Sequence, residues 1–295
     1  MTDSGVIVSI GVPVYNGAAF LEETLDSLLA QTFEDFEIII SDNASTDSTG
    51  EIARHFVARD SRVRYHRHPE NLGLAANYNG LVQMASGEFF KWATADDVCR
   101  PAFVEQCVAA LREVPAAVLA YPRTQFIDQA GKPLDLQDPA FPLHWPRAID
   151  RWRYVVGSEH WVNAILGVIR RAALLRTRLL PRYRGGDYVL LGELCLLGTF
   201  VEVPQVLFLR RIHPEASSQM VGDERRLLKL ISGKSQRIAL PEWQRVRDHL
   251  STIIRSELKM RDKVSLLGAL VVQTCRRRER LLREASRALR GRLHS

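Results

Sequence analysis

The chain has 295 residues and a mass of 33.4 kDa, enough for one large α/β domain or for a ligand-binding half with smaller additions behind it. Its 46% hydrophobic and 25% charged residues are ordinary for a soluble globular protein and force no disordered, collagen-like or membrane-spanning reading. The net charge of +6 is uneven, because Arg276, Arg277, Arg278, Arg280, Arg283, Arg287, Arg290 and Arg292 crowd the last twenty residues.

Val6 to Pro13 is an almost continuous apolar run preceded by no basic leader, which predicts a strand buried on both faces and a cytoplasmic protein. Phe20, Leu21, Leu25, Leu28 and Leu29 then repeat at helical spacing opposite Glu22, Glu23 and Asp26, so a helix covers the sheet. Phe36 to Ile40 predicts a second strand ending at Ser41-Asp42-Asn43. Ser48 with Glu51 predicts a capping box for the next helix. Val63 to His66, Leu74 to Ala85 and Glu88 to Trp92 continue the alternation, which predicts a parallel sheet whose carboxyl-end loops bind ligands.

Another helix is expected near Pro101 and another strand at Ala117 to Tyr121. The proline-rich stretch from Pro122 to Arg151 then breaks the pattern. Strands are predicted at Ala164 to Ile169 and Val206 to Ile212, and helices dominate past Met220, one of them opening at Pro241. Cys99, Cys107, Cys195 and Cys275 lack paired spacing and read as reduced, mostly buried thiols. The longest apolar run, Val264 to Val272, is far short of the roughly 20 residues that cross a bilayer.

Two clusters carry chemistry. Pro13-Val14-Tyr15-Asn16 closes the first strand beside Ser41 to Asp47, where a carboxylate can accept hydrogen bonds from a nucleobase and short polar residues suit a phosphate; the same residues are also common turn and cap formers. Thr94-Ala95-Asp96-Asp97 follows the fourth strand. Adjacent acids there suit Mg2+ or Mn2+ on a diphosphate, or cap the next helix. Gly185-Gly186-Asp187-Tyr188 places a third acid at a helix start.

The ordered set Val8 to Asn16, Gln31-Thr32-Phe33, Asp42 with Ser45-Thr46-Asp47, Asn71-Leu72-Gly73 through Asn77, and Ala85-Ser86-Gly87-Glu88 leading into Asp96-Asp97 resembles the family 2 glycosyltransferases of GT-A fold. The likeness is strong over about the first 120 residues and weaker to about Gln219. It implies a Rossmann-like, mostly parallel α/β sheet flanked by helices: a nucleotide-sugar-binding half over 1–120, an acceptor and catalytic-base half over 121–220, and a helical, arginine-rich extension over 221–295.

By the same resemblance Pro13, Val14, Tyr15, Asn16, Asp42, Asn43, Asn71, Gly73, Asn77 and Asp96 face the nucleotide-sugar. Asp97 holds Mn2+ or Mg2+, and Asp187 takes the proton from the acceptor hydroxyl in an inverting displacement. His213 resembles a further metal ligand and Arg211 faces the diphosphate. Thr94 departs from the pattern, since an acid is common there, as Asn43 does where a second acid is frequent. His160, Trp161 and Asn163 are candidates for the acceptor side or for core.

The expected partners are a nucleotide-diphosphate sugar and a saccharide or lipid-linked acceptor from cell-envelope polysaccharide, lipopolysaccharide or glycolipid synthesis. Leu281, Leu282, Ala285, Leu289 and Leu293 share one face of the basic tail, which then either lies on an anionic membrane surface or packs on its own domain. Nucleic acid is not expected, because no aromatic residues interleave the arginines. A nucleotidyltransferase would need a glycine- and arginine-rich loop after the first strand, and a dinucleotide oxidoreductase a G-x-G-x-x-G; neither is present. The rival is a non-catalytic sugar-nucleotide binder or membrane-docking scaffold.

Overall fold

A computed structural model of the chain describes residues 5–136, 143–157, 163–216 and 240–293, together with Leu227, Leu230, Ile231 and Gly233. The first half alternates as its periodicity predicts: β1 (Val8–Val14), α1 (Leu21–Leu29), β2 (Phe36–Asp42), α2 (Thr49–Arg59), β3 (Val63–Arg67), α3 (Leu74–Met84) and β4 (Phe89–Trp92). Next come β5 (Val98–Cys99), α4 (Phe103–Glu113), β6 (Ala117–Ile127), α5 (Ala148–Gly157), a 3-10 turn (Asn163–Leu166), β7 (Val168–Arg170), α6 (Arg171–Leu174), α7 (Gly186–Leu197) and β8 (Thr199–Arg211). Three helices, Pro241–Arg255, Met260–Arg276 and Arg278–Leu293, end the chain.

The strands form one sheet in the order β3-β2-β1-β4-β7-β6-β8-β5. β1 is parallel to β2 on one side and to β4 on the other, so the chain reverses its direction of travel across the sheet at β1. Ligands of open α/β sheets bind beyond the carboxyl ends of the strands at such a reversal, here beside Val14, Asp42 and the turn after Trp92. Every residue of β1 and β2 is buried, which explains their unbroken apolar runs.

Antiparallel β7 joins β4 to β6, so one sheet runs through both expected halves, and the boundary anticipated at residue 120 falls inside β6. The break anticipated at Pro122 comes later: β6 continues to Ile127 against β8, with a register shift between Pro122 and Arg123, and among the described residues no helix or strand follows before Ala148. A bulge of this kind tolerates a residue that cannot donate to the ladder. The strand expected over Ala164 to Ile169 is a 3-10 turn followed by only three strand residues, and β8 begins seven residues before the predicted Val206.

Lys91 is fully buried in β4. Its ammonium donates to the Leu166 carbonyl at 2.6 Å and the Trp92 carbonyl at 3.1 Å and lies 4.1 Å from the centre of the Phe103 ring. Such contacts offset the cost of taking the charge out of water, and they tie β4 to the turn before β7.

The C-terminal helices pack on α5 and α7. Ile149, Trp152, Val156, Ile253, Leu266 and Leu270 form a second apolar core. Arg178 bridges Glu193 of α7 at 2.6 Å and Asp248 of Pro241–Arg255 at 3.0 Å, and the Tyr183 hydroxyl donates to Asp248 at 2.6 Å. These bonds fix the loop that leads into Asp187.

Candidate active site

The loops after β1 and β2 are stitched together. The Asn16 N–H donates to Ser45 Oγ at 2.9 Å and the Thr46 N–H to Asn16 Oδ1 at 2.8 Å. Asp47 accepts from the N–H groups of Ala18 and Thr49, both at 3.1 Å. The capping box expected from Ser48 and Glu51 therefore does not form: Ser48 makes no side-chain cap bond, and Asp47 caps α2 instead. In this cluster the turn-and-cap chemistry left open by the sequence is what Ser45 and Asp47 perform.

Asp42 is fully buried. Its carboxylate accepts from the Ser45 N–H at 2.8 Å and the Tyr65 hydroxyl at 2.6 Å, with Arg67 Nε 3.4 Å away. That carboxylate, expected against a nucleobase, anchors β2 to β3 and to its own loop. Burial and the Asp42 contact push the Tyr65 phenol up to about 12. Asn77 is also behind the site: it is buried, and its amide donates to the Ser41 carbonyl at 2.9 Å while its oxygen accepts from Ser41 Oγ at 2.5 Å.

Asn43 and Asn71 join the second loop to the third, with Asn43 Nδ2 2.9 Å from Asn71 Oδ1. The Leu72 N–H donates to Asn43 Oδ1 and the Gly73 N–H to Asn71 Oδ1. Gly73 adopts φ 84° at the start of α3, a conformation that favours glycine. Pro13 and Val14 are buried beneath this surface, whereas Tyr15 and Asn16 are exposed on it.

The acid pair lies after β4. Asp97 is only 5% exposed. One of its oxygens accepts from the Arg211 N–H at 2.8 Å, the other from the Thr94 hydroxyl, and its carbonyl accepts from Thr24 at 2.9 Å. Burial, and then the charge of Asp96, push the Asp97 carboxyl well above the usual carboxylate range. Asp96 is the more open acid, and His213 Nε2 stands 2.9 Å from its Oδ2.

Arg211 is buried. Its guanidinium donates to the carbonyls of Asp96 at 2.9 Å, Asp128 at 3.1 Å and Gln129 at 3.0 Å, and to Glu23 at 2.6 Å, and it lies 4.7 Å from the centre of the Phe20 ring. Arg211, expected to face the diphosphate, here clamps the acid turn. Adjacent residues of a strand point to opposite faces, and Arg210 takes the other side. Its charge reaches Asp97, Asp187 and the Tyr78 phenol, and it bonds Asn163. Strand alternation allows only one of Arg210 and Arg211 to face the cleft, and sequence alone does not say which.

Asp187 opens α7 after Gly185, which adopts φ 84°. Burial raises its carboxyl above the ordinary range, while the N–H groups of Tyr188 and Asp187 and the charges of Arg245 and Arg210 oppose the rise. Arg245 comes from the helix Pro241–Arg255, so the C-terminal helices help to set this acid. His160 and Trp161 lie outside the described residues.

A divalent cation suits the donors present. Two carboxylates and an imidazole from Asp96, Asp97 and His213 supply oxygen and nitrogen ligands, and like charges this close call for a counter-charge. Among the described residues no three His, Cys, Asp or Glu side chains already converge on one point, since His213 turns to Asp96 while Asp97 is held by Thr94 and Arg211.

The model of the glycosyl transferase family 2 matches residues 9–166, more than half of the chain. A Rickettsia felis protein described as an uncharacterized glycosyltransferase is 35% identical over 129 residues, 43% of this chain and 21% of that protein. Streptococcus pneumoniae glycosyltransferase GlyG is 35% identical over 114 residues, 38% of each chain. The chain therefore spans well under half the length of these relatives. Among solved structures, S. aureus TarS 1-349 with UDP-GlcNAc superposes with a TM-score of 0.70 at 16% identity, over 91% of this chain and 72% of that one. Pyrobaculum calidifontis mannosyltransferase PcManGT, solved with GDP-Man and Mn2+, gives 0.57 at 17% identity, over 98% and 75%. At such identities the likeness is one of fold, and it is the GT-A arrangement expected from the motifs.

Proposed function

The chain belongs to glycosyl transferase family 2, and on that premise we propose that it transfers a sugar from a nucleotide-diphosphate donor to an acceptor hydroxyl with inversion. The observation that supports this best is the position of Arg210, whose charge is felt by both Asp97 and Asp187. One guanidinium thus links the acid turn after β4 to the acid at the start of α7, as a donor and an acceptor meeting in one crevice require.

In this reading Tyr15, Asn16, Asn43 and Asn71 offer the nucleotide its surface at the strand ends, over the buried Pro13, Val14 and Gly73. Asp96, Asp97 and His213 would hold Mn2+ or Mg2+, which would supply positive charge against the diphosphate leaving group; Arg210 faces the same diphosphate. Asp187 accepts the proton of the acceptor hydroxyl as its oxygen forms the bond to the anomeric carbon and the bond to the diphosphate breaks. A carboxyl raised by burial is a better proton acceptor than an ordinary one. The structures with UDP-GlcNAc and GDP-Man support a nucleotide-sugar as donor without fixing base or sugar. A saccharide or lipid-linked acceptor of the cell envelope, met at the cytoplasmic face of a membrane, fits the basic C-terminal helices.

The test is release of nucleoside diphosphate from a panel of UDP-, GDP- and dTDP-sugars with Mn2+ or Mg2+. Turnover of one donor, abolished by chelation, is the expected result. Binding of a donor with no release to any acceptor or to water would leave a non-catalytic binder.

A further inference from the structure

Nine of the thirteen exposed large apolar residues among those described lie in the three C-terminal helices. The tail face expected to meet a membrane is divided. Leu281 is buried, its carbonyl accepts from Trp243 Nε1 at 3.1 Å, and Glu284 accepts from the Glu242 N–H. The last helix is thereby docked on the start of Pro241–Arg255, and among the described side chains of that face Leu282 and Leu289 stand exposed.

The helix before it is different. Met260, Val264, Gly268, Val271 and Cys275 recur at spacings of four, four, three and four residues, so they share one stripe about four turns long, and all five are exposed. Met260 is 74%, Val264 60% and Val271 61% accessible, and nothing lies within 4 Å of where a side chain on Gly268 would begin. No polar residue interrupts the stripe. The same helix buries Leu266 and Leu270 on another side, so packing is already satisfied without it. Ile254 is 61% exposed at the end of the preceding helix, and Lys263 Nζ donates to its carbonyl at 2.8 Å and holds the two helix ends together.

Charge indicates what meets this stripe. Residues 241–295 hold 14 Arg and Lys against 6 Asp and Glu, while the other 240 hold 26 against 28. Arg255, Lys259, Arg261 and Arg276 are exposed at the two ends of the stripe. An apolar strip rimmed by cations is the pattern of a helix lying in the interface of a negatively charged bilayer, and none of the described helices is long and apolar enough to cross one.

We propose that the Met260–Val264–Gly268–Val271–Cys275 face docks the protein on an anionic phospholipid bilayer, rather than the arginine-rich tail behind it. The inference rests on the proposed function only for its purpose, which is to bring the crevice to a lipid-linked acceptor.

Cys275 is the one exposed cysteine of four and supplies a native reporter. An environment-sensitive fluorophore on Cys275 of the full chain, mixed with phosphatidylcholine vesicles with or without phosphatidylglycerol, should shift to the blue only with phosphatidylglycerol, and less as salt rises. The pair Val264→Glu and Val271→Glu should lower vesicle flotation at least about ten-fold. Leu282→Glu with Leu289→Glu should leave it near wild type. Nucleoside diphosphate release to water or a soluble acceptor should persist in all variants, so failure of the transferase reading would show as absent release with flotation intact. Flotation unchanged by the Val264 and Val271 substitutions would overturn the proposal. A fluorophore shift that follows protein concentration without vesicles would overturn it too, in favour of a second copy of the chain. Val264→Ser with Val271→Ser, weaker in flotation at unchanged melting temperature, guards against a folding artefact.

Discussion

His213 pairs with Asp96 and not with Asp97: its Nε2 lies 2.9 Å from Asp96 Oδ2, while Asp97 is held from the other side by Thr94 and the Arg211 N–H. The acid most protected from solvent is thus the one with the fewest free lone pairs, and Asp96 is the more open carboxylate for a cation.

Thr94 tests that arrangement. Thr94→Asp would put a third carboxylate against Asp96 and Asp97, and like charges in a partly buried turn repel. The variant should lose about 1–2 kcal/mol of stability in chelator and recover it with Mn2+ more steeply than wild type does. Thermal melts with and without the metal read this; equal melting temperatures in both conditions would remove the acid turn as a cation site.

The two arginines ending β8 should separate cleanly. Arg211→Ala strands three carbonyls and Glu23 and should cost roughly 2–4 kcal/mol, measured by denaturant unfolding. Arg210→Ala should lower the unfolding midpoint less than Arg211→Ala does and weaken nucleoside diphosphate binding at least about ten-fold by calorimetry. The reverse pattern would exchange their roles.

His249 predicts a pH dependence. It is buried, neither ring nitrogen has a hydrogen-bond partner, and burial, then the charges of Arg245 and Arg178, hold its pKa down at about 3. In the unfolded chain the imidazole titrates near 6.5, so between these values the unfolded state binds the extra proton. Stability from this group is complete above about 6.5 and falls as pH drops toward 3. Melting temperature against pH should fall less steeply over this window in His249→Phe; parallel curves would show that His249 does not contribute.

Much of the donor half was legible because β1, β2 and their helices obey simple periods, and because the acid turn follows a strand. What stayed hidden depends on partners distant in sequence. Asp42 looked available until Tyr65 and Arg67 of β3 met it, and Pro122 looked like a strand breaker until β8 supplied a bulge. Arg210 and Arg211 differ only in which face of β8 they occupy. The apolar stripe from Met260 to Cys275 had a helical period in plain view, but period alone does not distinguish a buried face from one left open.

The most direct test of the central claim is Asp187→Asn, followed by acceptor glycosylation and by calorimetric binding of nucleoside diphosphate with Mn2+. If Asp187 accepts the acceptor's proton, turnover should fall by about 10²–10⁴ while nucleotide affinity stays within about two-fold. Turnover equal to wild type, or nucleotide binding lost along with it, would contradict the account.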